Sequence, residues 1–106
     1  MIVRQWKGIV KTEMADAYLG HLQNVTFSQL KKLPGFHSAS VFKRAVTGGY
    51  ECLVITYWDS LQAISQFAGT DIDKAVVPPT VKQMMIEFDD HVVHYEVKME
   101  FSGRNR

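Results

Sequence analysis

Arg4 and Trp6 stand two residues apart in IVRQWKGIV, the first β-rich run of the chain, and His94 lies in HVVHYEV, the last. Residues two apart on a strand point to the same face, so Arg4 and Trp6 share a surface that Gly8 continues. A charge in the middle of a sheet is costly unless it is paired or faces a wet cavity. Arg4 therefore pairs with Glu96 or Glu100 on a neighbouring strand, sits at a subunit surface, or lines a cleft where its guanidinium orients an anionic or enolate oxygen. His94 shares its strand face with Glu96 and Lys98, and His91 takes the opposite face with Tyr95. An imidazole titrates near neutrality, so His94 reads either as a structural hydrogen-bonding residue or as a general base that deprotonates a phenol. The expectation is that Arg4, Trp6 and His94 line one pocket from adjacent strands.

Tyr18, Trp58 and Phe67 are the aromatic residues that could wall such a pocket. Plain core packing is the competing reading, above all for Trp58 and Phe67. Tyr18 differs because a buried hydroxyl needs a partner. Met84 and Met85 could cover a ligand or fill the core. His21 and His37 make no metal spacing with the other histidines. Cys52, the single cysteine, excludes internal disulfides and Cys-rich metal sites and reads as a small buried hydrophobe. Neither a Ser-His-Asp arrangement nor a phosphate-binding glycine loop is present; Thr47-Gly48-Gly49 is too short and precedes a strand.

Seven segments must position these residues. Residues 2–10 read as a strand. Thr12 can cap a helix whose apolar face runs through Ala15, Tyr18, Leu19, Leu22, Val25, Thr26, Leu30 and Leu33, at spacings of three and four. Leu33-Pro34-Gly35 stops it. Phe36–Val46 and Tyr50–Trp58 read as strands joined by a glycine hairpin. Asp59 or Ser60 caps a second helix, with Gln62 completing a capping box to Asp59 and Ala63, Ile64 and Phe67 on its inner face. Gly69 ends that helix, Pro78-Pro79 breaks the chain, and Val81–Phe88 reads as a short helix. His91–Met99 is the last strand. The order β-α-β-β-α-β, with right-handed crossovers, predicts an α+β, ferredoxin-like fold. Its four-stranded antiparallel sheet has strands one and three in the middle and helices on one face only. The other face would expose Val, Tyr and Phe side chains, so a homodimer with sheets face to face is expected.

Composition agrees with one globular domain over 1–106: 46% hydrophobic, 22% charged and a net charge of +1. Basic residues form no stripe, which argues against a nucleic-acid partner. No apolar run is long enough to span a membrane, and no secretory leader is read at the N-terminus, so the expected location is cytoplasmic. Residues 100–106 are expected to fray.

The element order, the Trp58-Asp59-Ser60 turn, the Phe67-Ala68-Gly69 helix end and the closing His94-Tyr95-Glu96-Val97 resemble the antibiotic biosynthesis monooxygenase (ABM) domain, a family of dimeric α+β barrels. The resemblance runs from Ile2 to about Met99. It implies a cofactor-independent oxygenase of an aromatic or quinol-like molecule, in which His94 would deprotonate the substrate and Arg4 would hold the anion. Trp6, Tyr18, Trp58 and Phe67 would bind its apolar body, with neither metal nor cofactor required. A non-catalytic small-molecule binder of the same fold is the alternative. Haem-degrading relatives carry a first-strand Asn, a Trp late in the second helix and a His just after it. Those positions are held here by Arg4-Gln5-Trp6-Lys7, Phe67 and Val77, and valine cannot bind iron.

Overall fold

The computed structural model of the chain describes residues Met1–Gly103; the part of the expected frayed tail beyond Gly103 lies outside them. Strand β1 (Ile2–Lys11) leads through a 3-10 turn into helix α1 (Ala15–His21), a π-helical segment (Leu22–Thr26) and α2 (Phe27–Leu30). The hairpin β2 (Phe36–Val46) and β3 (Gly49–Trp58) follows, then α3 (Leu61–Ala68), α4 (Pro79–Met84), β4 (Met85–Phe88) and β5 (Val93–Glu96). The sheet order is β2-β3-β1-β4, with β5 also pairing β1, and every pairing is antiparallel.

The fold is the expected α+β, ferredoxin-like one, with β1 and β3 central. Two details differ. The sheet has five strands, because the last edge is broken: β4 pairs Gly8–Val10, and β5 pairs Ile2–Gln5. The segment read as a helix over Val81–Phe88 is helical only to Met84 and continues as β4. Pro79 at the helix start and the β-prone Met85-Ile86-Glu87-Phe88 both favour that division.

Period two divides β1 and β3 between the faces. Arg4, Gly8 and Val10, with Cys52, Thr56 and Trp58, are buried on the helix-covered side. Val3 aligns with Tyr57 and Tyr95, Gln5 with Ile55 and Val93, and Lys7 with Leu53 and Phe42 on the opposite side. There Phe42 and Tyr95 are more than half exposed.

Two apolar cores form under the helices. One gathers Val10, Tyr18, Leu22, Cys52, Val81, Met84 and Met85; the other gathers Leu30, Trp58 and Ile64. Met84 and Met85 are thus core residues of the first and do not form a lid. Gly8 lets the Trp6 ring lie flat along its own strand, since a Cβ there would fall 2.6 Å from the indole Cη2.

Local signals act as expected, with two changes. Ser60 caps α3, its Oγ accepting from Ala63 N at 3.1 Å, while the Asp59 carboxylate turns to His37. Thr12 makes no side-chain cap, and the helix opens instead through the 3-10 turn. The π segment is a further departure from the regular spacing. It rotates the helix face, so that Val25, read as inward, is largely exposed.

Gly49 packs against the β1 backbone, where a Cβ would sit 2.1 Å from the Val10 carbonyl oxygen. Gly49→Ala is expected to cost about 1–3 kcal/mol as overpacking. Gly20, helical with open space around its Cα, should gain up to ~1 kcal/mol on substitution by alanine. Urea unfolding of the two variants checks the contrast.

Candidate functional site

The two cores do not merge completely. Between them lies a cavity of about 80 Å3, bounded by Arg4, Trp6, Val54 and Thr56 of the sheet and by Tyr18, Leu22, Thr26, Phe27 and Leu30 of the first helical stretch. Phe67, Val76, Val77, Pro78, Val81 and Val92 complete it. Most of these walls are apolar. The polar exceptions are Arg4, Tyr18, Thr26 and Thr56, with the Trp6 indole NH.

Arg4 sits in a central strand and is 5% exposed. Its Nη1 donates to the Ile72 carbonyl and, at 3.0 Å, to His94 Nε2; its Nη2 donates to the Lys74 carbonyl at 3.1 Å. A guanidinium has five N–H donors. Three are spent here, leaving Nε and one on Nη2 without a bond to any described residue. Among the described residues no carboxylate forms an ion pair with Arg4. Burial pulls its pKa down to about 10, with Asp73 opposing that fall, so it keeps its charge at neutral pH. The expected ion pair with Glu96 or Glu100 is replaced by backbone carbonyls and an imidazole. The Phe67 ring lies 5.7 Å below the guanidinium carbon and stacks on Trp58 with centroids 6.4 Å apart.

His94 is the register partner of Arg4 on β5, so both side chains lie on one face. Its tautomer follows from its neighbours. Guanidinium can only donate, so Nε2 accepts and the proton is on Nδ1, which donates to Asp73 Oδ1 at 3.1 Å. Both ring nitrogens are therefore engaged, and His94 is not among the residues bounding the cavity. In this arrangement the lone pair that would take a proton is spent on Arg4. Burial and the Arg4 charge hold the His94 pKa below its ordinary value, with the Asp73 hydrogen bond opposing them.

Trp6 and Tyr18 bound the cavity as expected, and so does Phe67. Trp6 donates its indole NH to the Asp89 carbonyl at 2.8 Å, which leaves its ring as a wall. Tyr18 is 2% exposed, and burial raises its pKa, so it remains a neutral phenol. Its hydroxyl makes no hydrogen bond to any described residue, yet no wholly enclosed side-chain oxygen is left unpaired. The hydroxyl must therefore reach the cavity.

Trp58 does not bound the cavity. It is fully buried in the second core and edge-on to Phe36, with its Nε1 donating to Thr56 Oγ1 at 2.8 Å. Through that bond it sets Thr56, which sequence reasoning missed. A threonine on the covered face of an apolar strand, in register with a buried arginine, was the available signal. The 72–78 loop was also missed, because backbone carbonyls leave no mark in side-chain chemistry.

A haem does not suit this site. The cavity holds neither histidine nor cysteine, Val77 stands at the position of the expected ligand, and Tyr18 resists ionisation.

A pH dependence follows from His94. Unfolded histidine takes up a proton near pH 6.5, whereas folded His94 resists it. Stability present above that pH should fall as acidification proceeds toward the depressed folded pKa. Urea midpoints measured from roughly pH 7.5 down to 5 should drop in the parent and drop less in His94→Gln.

No protein-family model and no curated protein sequence matches the chain. Solved structures do. A Bacillus cereus protein provisionally assigned as an antibiotic biosynthesis monooxygenase aligns over 99% of this chain and 98% of its own, with a TM-score of 0.66 and 19% identity. MhuD, a haem degrader from Mycobacterium tuberculosis with two haems in its active site, aligns over 96% and 100%, with a TM-score of 0.59 and 17% identity. A dimeric ferredoxin-like protein from an uncultured marine organism aligns over 96% and 99%, with a TM-score of 0.61 and 14% identity. At these identities the likeness is one of fold, and the chain is similar to antibiotic biosynthesis monooxygenase-like α+β proteins on that ground.

Proposed function

We propose that this chain is a cofactor-independent monooxygenase of the ABM kind, taking a small aromatic or quinol-like molecule as its oxyanion. The observation that carries this reading is Arg4: a buried guanidinium with donors to spare at the wall of an apolar cavity. Phe67, Trp6 and the valines bound the space for a ring. Tyr18 and Thr56 offer hydroxyls elsewhere on the cavity wall. The fold neighbours assigned as monooxygenases agree with the reaction class.

In the simplest balanced case a phenolate and dioxygen give a para-quinone and hydroxide. The ring carbon opposite the oxyanion forms a bond to one oxygen atom and loses its hydrogen. The O–O bond breaks, and the second oxygen leaves as hydroxide with that hydrogen. The substrate supplies all four electrons, so no flavin or haem is required. Arg4 would hold the oxyanion, and His94 with Asp73 would hold Arg4.

A second reading is a non-catalytic binder using the same cavity. The spent lone pair of His94 favours it, because no imidazole base faces the ligand. Oxygen uptake with a panel of single-ring phenols and quinols separates the two. The oxygenase reading expects cofactor-free uptake that Arg4→Gln lowers ten- to a hundredfold, the equivalent of a lost charge-assisted hydrogen bond of about 1.5–3 kcal/mol. No uptake from any phenol leaves the binder.

The open sheet face belongs, on this proposal, to a second copy of the chain. Its apolar rows through Val3, Ile55, Leu53 and Phe42, and the dimeric neighbour, support that arrangement. Phe42→Glu should shift the protein from dimer toward monomer in sedimentation velocity, with its circular dichroism unchanged.

A further inference from the structure

Arg4, Tyr18, Thr26 and Thr56, the polar side chains that bound the cavity between the two cores, can all donate, and none of them is a base. Arg4 has no acceptor at all. Tyr18 keeps its proton because burial raises its pKa. Thr56 Oγ1 already accepts from Trp58 Nε1, so its own hydroxyl hydrogen is what it can give. The Trp6 indole NH is bound to Asp89. Among the described residues that bound the cavity there is no carboxylate, imidazole or other strong base.

A buried guanidinium with unspent donors selects a group that only accepts. A neutral phenol or alcohol placed on it brings a hydrogen that Arg4 cannot accept, and an unmade buried hydrogen bond is expensive. With no base present, the ligand could not shed that hydrogen inside. The charge balance agrees. The nearest countercharge to Arg4 is Asp73, which reaches it only through the His94 ring. Buried charges are ordinarily paired, so a guanidinium held among carbonyls with donors to spare lacks an anion.

Size narrows the class further. A cavity of roughly 150 Å3 takes a benzene ring. This one is about 80 Å3, with half-exposed Val76 on its rim where a ring could project toward solvent. A fused polycyclic body would have to displace the Val77-Pro78 wall and Val81, which is buried in the first core.

We propose that the ligand of this cavity is an organic monoanion no larger than one ring, ionised before it binds, with its acid group on Arg4. This deepens the oxyanion reading of Arg4 and rests on it for the location of the site. Arene carboxylates and strongly acidic phenols share the required chemistry.

Isothermal titration of the full chain at neutral pH tests it with four probes: benzoate, benzamide, 4-nitrophenol and anthracene-9-carboxylate. Benzoate should bind saturably, one per chain. Benzamide, of the same shape but neutral and bearing N–H donors, should bind at least about tenfold more weakly. The nitrophenol should bind more tightly above its own pKa than below it. The three-ring acid should not bind at the benzoate site. Arg4→Lys, which keeps the charge but loses the planar fork, should weaken benzoate by about tenfold, and Arg4→Met should abolish its binding.

Arg4→Lys keeps the test sound if the methionine variant fails to fold. Benzamide binding as tightly as benzoate, anthracene-9-carboxylate displacing benzoate, or folded protein ignoring benzoate would each overturn the proposal. Benzoate has no oxidisable hydroxyl, so its binding is read apart from oxygenation. Benzoate binding without oxygen uptake from any phenol would remove the oxygenase and keep the ligand class. Uptake with a polycyclic quinol would do the reverse.

Discussion

The buried guanidinium of Arg4 is the constraint around which this end of the molecule is arranged. It lies in β1, the strand that pairs with β3, β4 and β5. A charge there must be met by oxygen or nitrogen atoms brought from elsewhere. The carbonyls of Ile72 and Lys74 and the ring of His94 meet it. Those bonds tie the irregular segment after α3 to the sheet, and that segment carries Val76, Val77 and Pro78 onto the cavity. Remove the charge, and the loop keeps its backbone bonds to Asp90 and Val92 but loses those from Arg4, while the cavity loses a wall. The same group thus shapes the pocket and supplies its electrostatics.

Around this anchor the parts have separate duties. Asp73 fixes the tautomer of His94, His94 steadies Arg4, and Phe67 lies beneath the guanidinium while stacking on Trp58. Trp58 in turn orients Thr56, the register neighbour of Arg4. Two chains of contact, one from β5 and one from the second core, therefore converge on a single row across the sheet. The π turn at Leu22–Thr26 carries Leu22 and Thr26 onto the cavity.

Much of this was readable from the residues alone. Strand order, the glycine hairpin, the Ser60 start and the Gly69 stop are written in local chemistry, and the fold follows from them. Arg4, Trp6, Tyr18 and Phe67 could be nominated because a strand parity and a helix period place them inward. His94 was nominated for the right neighbourhood, but its role turned on where its lone pair points. That is set by Asp73, twenty-one residues away on a loop with no periodic signal. Trp58 illustrates the converse. Its position at the end of an apolar strand says buried, and only packing decides whether burial means cavity wall or core. The break between β4 and β5 escaped notice because MIEF reads as the end of a short helix, and nothing in HVVHYEV says that it takes only one stretch of the edge.

The flat-lying Trp6 ring has a consequence for how ligand preference could drift. The indole closes one side of the cavity, and it lies where it does because Gly8 has no side chain, with Met85 Sδ pressing from beyond. Gly8 itself does not bound the cavity. Any larger residue at that position must lift or swing the ring, and the space behind it changes with the angle. The dimensions of the pocket are thus written partly at a site that never meets the ligand. A single substitution there would retune what the protein accepts while leaving the arginine, the hydroxyls and the histidine support untouched.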